Sequence, residues 1–146
     1  MRTFVLIINP LQAMKKTLIV ITAFVCGCSA LVHPDQTKAK ALVEALIQKE
    51  NSGDYAGTSQ YYTDEFNKSE SIEARTDKFK RLHDALGDYK SMEIVKVRDT
   101  TDANDFPAVD IIYRVKHTKL NSLEEFTVIS EAGTYRVEEH GITQEQ

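Results

Sequence analysis

Apolar residues recur with helical spacing along the first half of the domain and with a period of two along the second. Leu42, Val43, Leu46 and Ile47 share one face of a helix that the pattern begins near Lys38. Lys40 and Glu44 form an i,i+4 pair on it, and Asn51-Ser52-Gly53 ends it. Asp54 is placed to cap a second, shorter helix, in which Tyr55, Tyr61, Tyr62 and Phe66 supply an aromatic face around small Ala56 and Gly57. Asn67-Lys68-Ser69-Glu70 breaks that pattern. Ser71 then reads as the cap of a third helix carrying Ile72, Phe79, Leu82 and Leu86, with Gly87 where a helix-terminating glycine belongs.

Beyond Gly87 the period changes. Met92, Ile94, Val95 and Val97 make one strand pattern, blurred where Ile94 and Val95 adjoin. Thr100 to Asp105 is a turn cluster, and Pro107 predicts that the next strand begins after it. Val109, Ile111, Tyr113, Val115 and His117 alternate with Asp110, Ile112, Arg114 and Lys116, the cleanest half-buried strand in the chain. Lys119-Leu120-Asn121-Ser122 is a turn. Phe126 and Val128 alternate with Glu125, Thr127 and Ile129, and Glu131-Ala132-Gly133 turns the chain into a fourth strand, Tyr135 to Glu138. Helices first and an antiparallel meander afterwards predict an α+β fold, with three N-terminal helices packed on one face of a curved antiparallel sheet of about four strands.

Several short stretches carry a resemblance. Glu44 to Phe66, above all Asn51-Ser52-Gly53-Asp54-Tyr55, is similar to the first two helices of nuclear-transport-factor-two-like domains. So are Leu86-Gly87, Phe126-Thr127-Val128, Gly133-Thr134-Tyr135-Arg136-Val137 and Ile142 in their order. The resemblance is closest to small bacterial exported members of that cystatin-like superfamily. It implies a cone whose wide end can be a pocket, and it implies no activity, because that fold hosts both enzymes and non-enzymes.

The segment before the domain changes where the protein is expected to work. Lys15-Lys16 precede an apolar run, Thr17 to Val25, that ends at small residues, the order of a secretory signal. The uncharged run is too short for a membrane span, which needs roughly 20 apolar residues. Val25-Cys26-Gly27-Cys28 resembles a bacterial lipobox, with Val25 and Gly27 before the cleavage point and Cys28 as the acylated first residue of the mature protein. Met14 opens a complete signal peptide by itself and is the expected start. The expected organisation is a signal peptide over 1–27, a lipidated tether over 28–37 containing Pro34, and one domain over 38–146. Ser29 follows the lipidated cysteine, and the resemblance then implies the periplasmic face of the outer membrane in a double-membraned host.

Without residues 1–27 the chain has fifteen basic against twenty-two acidic side chains, a net of −7, which opposes binding to nucleic acid or other polyanions. Cys26 leaves with the signal and Cys28 carries lipid, so no disulfide, thiolate nucleophile or cysteine metal site is expected in the domain.

Candidate chemistry is sparse. His117 lies on the inward register of its strand, in line with Tyr113 and Val115, where a carboxylate partner would make it a general base. The ordinary alternative is a strand-end histidine at the rim, beside Lys116 and Thr118. Tyr55, Tyr61, Tyr62 and Tyr89 could line a pocket or simply pack between helices. The candidate pocket residues are Tyr113, His117, Tyr61 and Tyr62. Asp110 and Glu125 fall on the polar register and are expected to face solvent, so no catalytic acid pair can be named. His33, His83, His117 and His140 are scattered over tether, helix and strands, with no HxxxH pair or acidic calcium loop, so no metal site and no cofactor is expected. No GxxxxGK[ST], GxGxxG or GxSxG occurs. The leading expectation is a membrane-anchored, non-catalytic module of the envelope that binds a protein or small ligand. A small enzyme of isomerase or dehydratase type using His117 and Tyr113 is the alternative, and a structural spacer without a pocket is the third.

Overall fold

The computed structural model describes residues 32–145, so Val25, Gly27 and Cys28 lie outside the described residues. Helix α1 runs Gln36–Asn51 and starts two residues before the apolar pattern does, because the Asp35 carboxylate accepts from the Thr37 and Lys38 amides at 2.8 and 3.1 Å. The expected second helix is split. A 3₁₀ turn spans Ala56–Tyr61, the chain extends at Tyr62 and Thr63, and a short α2 follows at Asp64–Ser69. Thr63 Oγ1 caps α2, while Asp54 accepts from the Gly57 amide at 3.0 Å and holds the 3₁₀ turn instead. Helix α3, Ile72–Leu86, is capped by Ser71 as expected and ends at Gly87, whose φ of 85° suits glycine.

Four strands follow: β1 (Tyr89–Thr101), β2 (Pro107–His117), β3 (Asn121–Glu131) and β4 (Thr134–Gln144). They form one antiparallel sheet in the order β1-β2-β3-β4. The blurred alternation at Ile94 and Val95 has a structural cause. Ile94 pairs with Tyr113 and Lys96 with Ile112, which leaves Val95 as the extra residue of a bulge. The β3–β4 hairpin turns through Ala132 and Gly133, both with positive φ, the conformation a two-residue hairpin loop requires.

One face of the sheet carries the core. Val109, Ile111, Tyr113, Val115, Phe126, Val128 and Val137 pack under Ala39, Val43, Leu46 and Ile47 of α1. The chain between the 3₁₀ turn and α2 is stitched to the β4 edge, where Tyr62 bridges to Val137 and the Thr63 amide donates to the Val137 carbonyl at 3.0 Å. That stitch drives the Tyr62 side chain inward. On the opposite face of the sheet Asp110 has the register expected of it but is not solvent-facing. Arg98 covers it with contacts of 2.9 and 2.6 Å, and Thr127 donates to it at 3.1 Å. No helix among the described residues is long and apolar enough to cross a membrane.

Candidate functional site

Alternation fixes which strand residues face the helices. Ser122 and Glu124 precede Phe126 on the inward register of β3, so two polar groups enter the helix-facing side. On β4, Val137 opposes Val128 whereas Glu139 opposes Thr127, so Glu138 is an extra residue that shifts the register. The shift turns His140 inward opposite Phe126. Its imidazole stacks on the Phe126 ring with centroids 4.2 Å apart and is almost fully buried. Glu50, in the last turn of α1, meets these residues from the helix layer.

The result is a continuous polar chain. Tyr62 Oη donates to Glu50 Oε1 at 3.1 Å and lies 2.8 Å from His140 Nδ1. With Glu50 ionised, the Tyr62 proton goes to Glu50 and His140 Nδ1–H donates to the Tyr62 oxygen. His140 Nε2 lies 3.7 Å from Glu124 Oε2, an ion-pair distance when the imidazole is protonated. The separation is too long for a hydrogen bond. Glu124 Oε1 accepts from Ser122 Oγ at 3.1 Å, and Ser122 Oγ lies 3.3 Å from His117 Nε2. By the same logic His117 donates to Ser122 Oγ through Nε2. Among the described residues, His117 Nδ1, Glu124 Oε2 and His140 Nε2 are the buried side-chain atoms without a hydrogen-bond partner.

Glu50, Glu124 and His117 line a pocket of about 40 Å³ between the end of α1, α3 and the sheet, walled by Tyr55, Phe79 and Leu82. His140 lies directly behind the two carboxylates. The electrostatics follow from this burial. Desolvation pushes the Glu50 carboxyl up to about 7, and the Glu124 charge adds to it, against the opposing pull of His140 and the Tyr62 hydroxyl. Tyr62 is raised well above an ordinary phenol, first by burial and then by the Glu50 charge. Burial lowers His117, with Glu124 opposing. Behind Tyr62 the Arg75 guanidinium sits 4.6 Å from its ring centroid and donates to Asn67 Oδ1 at 2.9 Å, which fixes the phenol from the far side.

The four candidate pocket residues therefore divide. His117 and Tyr62 belong to the polar chain. Tyr113 is buried in the core and donates to Glu44 Oε1 at 3.1 Å, away from the pocket, and half-buried Tyr61 packs against the core. Glu50 and Glu124 are not named by the sequence analysis, and His140 enters it only as one of four histidines scattered along the chain. Glu124 was visible in principle, two residues before Phe126 on the same register. His140 was hidden by the bulge, and Glu50 by its place in an otherwise solvated helix end. Two imidazoles and one carboxylate with unpartnered buried atoms, beside the Glu50 carboxyl, can take up a proton or a cation. No protein-family model matches the chain, and no curated protein matches it.

Proposed function

We propose that this chain is a lipid-anchored protein of the cell envelope whose cone-shaped, nuclear-transport-factor-two-like domain is a non-catalytic binding module for a small cationic ligand. The polar groups in the pocket wall and behind it carry this reading. His117 Nδ1, Glu124 Oε2 and His140 Nε2 are buried polar atoms without a hydrogen-bond partner, a costly arrangement in a folded interior unless a ligand completes it. The volume decides the ligand's size. At about 40 Å³ the pocket has room for an ion with a water or two, or for the cationic head of a larger molecule.

The tether supports an orientation. His33 Nδ1 meets the Ala108 carbonyl at 3.3 Å, the Asp35 amide donates to Tyr135 Oη at 3.0 Å, and Gln36 donates to Asp99 at 2.9 Å. All three partners lie at the end of the sheet away from His117 and Glu124. From Ala108 to His117 a strand covers about 30 Å, and four residues from Cys28 to Val32 reach at most about 14 Å. An acylated Cys28 thus holds one end near the bilayer while the pocket opens at the other. With Ser29 after the lipid, that bilayer is the outer membrane of a double-membraned host.

Two measurements test the reading. Cys28→Ala abolishes labelling by a palmitate analogue and moves the protein out of the membrane fraction; unchanged labelling and fractionation refute the anchor. Native mass spectrometry of envelope-purified protein shows a bound species that Glu124→Gln loses; identical spectra refute the binding module. An acid–base enzyme is the second reading, favoured by the Glu50–Tyr62–His140 relay, and a stable His117→Ala variant with a lost phenotype selects it.

A further inference from the structure

We infer that Glu50, Glu124 and His140 form a binding site for a divalent first-row transition metal ion, with zinc as the natural probe. The inference rests on the binding-module reading and names its ligand.

The three side chains come from three elements, and one ligand atom from each lies within 4.8 Å of the others. The His140 tautomer is set from behind. With Glu50 ionised, Tyr62 accepts from Nδ1–H and donates its own hydrogen bond to Glu50, the kind of outer contact that metal-binding histidines use to present the other nitrogen. The free nitrogen, Nε2, faces Glu124 Oε2 at 3.7 Å, and both atoms are buried and without partners. A carboxylate oxygen and an imidazole nitrogen at this distance are held together by a positive centre, either a proton on the nitrogen or a cation between them. Metal–nitrogen and metal–oxygen bonds near 2.05–2.1 Å fit a 3.7 Å separation at an angle of about 125°, within the range of a distorted tetrahedral ion. Donors on one such ion at angles of about 109–125° are roughly 3.4–3.7 Å apart, so three ligand atoms spread over as much as 4.8 Å must close by up to about 1 Å to share it.

The donor set selects the class of ion. One imidazole and two carboxylates suit zinc and its first-row neighbours, whereas calcium takes six to eight oxygens and copper(I) takes thiolates or thioethers. Two carboxylates cancel the charge of a divalent ion, so the buried site becomes neutral on loading. Stacking on Phe126 locks the His140 ring, so little order has to be created on binding. Three protein ligands leave a position toward the pocket for water or a further donor, and His117, whose Nδ1 is unpartnered, lines the same pocket.

The test uses the full chain, extracted in detergent, stripped with a chelator and titrated with zinc alone. One zinc ion per chain by elemental analysis is expected, with cobalt(II) giving the visible absorption of a low-coordinate site. Glu124→Gln is expected to weaken zinc by 100-fold or more, and Tyr62→Phe by 10- to 100-fold. Circular dichroism verifies that both variants fold, and Glu50→Gln stands in should either fail. Wild-type protein that retains no stoichiometric zinc, or folded variants that retain it equally, overturns the metal site. In that event propylammonium chloride separates the two readings. Thermal stabilisation of the wild type and not of Glu124→Gln keeps the cationic-ligand module without the metal, and no response to either probe removes both.

Discussion

Removing one oxygen atom tests the polar chain inside this domain. Tyr62→Phe keeps the ring that stacks on Phe66 at 4.2 Å and lies under Arg75, and deletes only the hydroxyl between Glu50 and His140. Two hydrogen bonds go with it, at 3.1 and 2.8 Å, and Tyr62 is only 2% exposed, so water does not replace them. A hydrogen bond to a charged group contributes about 1.5–3 kcal/mol, and a stranded buried N–H costs about 1–3 kcal/mol more. Release of the phenol from desolvation offsets part of that sum. The net expectation is a loss of about 2–3 kcal/mol in chelator-treated protein at about pH 8.5, where Glu50 is ionised. Tyr61→Phe, a half-buried neighbour outside the chain, should change stability by less than about 0.5 kcal/mol. Urea unfolding followed by circular dichroism measures both, and the m-value checks that the unfolded state is unchanged. If the two variants fall within about 0.5 kcal/mol of each other, Tyr62 does not link Glu50 to His140 and the assigned tautomer is wrong.

Three further outcomes are expected. Phe126→Ala removes a fully buried ring and the platform of His140, and should cost about 3–5 kcal/mol by denaturant unfolding. Gly87→Ala places a methyl group against Thr118 Oγ1 at a φ of 85°, where the same hydroxyl accepts from the Asp88 amide; a fall of about 2 kcal/mol or more is expected from thermal melts. The Glu50 carboxyl, facing Tyr62, His140, Glu124 and more distant Lys78, has a folded pKa of about 7, above its ordinary value. The unfolded chain therefore releases this proton first. Its contribution to stability is full below about pH 4.5 and falls by roughly 3 kcal/mol as pH rises to about 7 in metal-free protein. Glu50→Gln should flatten that part of a pH–stability profile.

The order of elements was legible because each boundary rests on local chemistry. Ser71 and Gly87 bracket α3 as their residue types dictate, and Gly133 lets the last hairpin turn, with Ala132 beside it also at positive φ. The misreadings have local causes too. The second helix breaks because residues 62 and 63 pair with β4, a contact that no pattern within 54–66 encodes. Asp110 is covered because Arg98 lies beside it across the β1–β2 ladder. The candidate site was half visible: His117 followed from strict alternation, and Tyr62 was named among several tyrosines. Glu124 needed only one more step along the register of Phe126 and Val128. His140 could not be reached that way, because the extra residue Glu138 reverses the face of everything after it. Long-range pairing, and not composition, assembles the polar chain.

The central claim concerns what lies between Glu124 and His140. A crystal grown in zinc and measured on both sides of the zinc absorption edge tests it most directly. The account predicts one anomalous peak per chain, about 2.0–2.2 Å from both His140 Nε2 and a Glu124 oxygen, with a Glu50 oxygen drawn into the same shell. No peak there, with His140 Nε2 and Glu124 Oε2 closed to a direct hydrogen bond below about 3.2 Å, would contradict it.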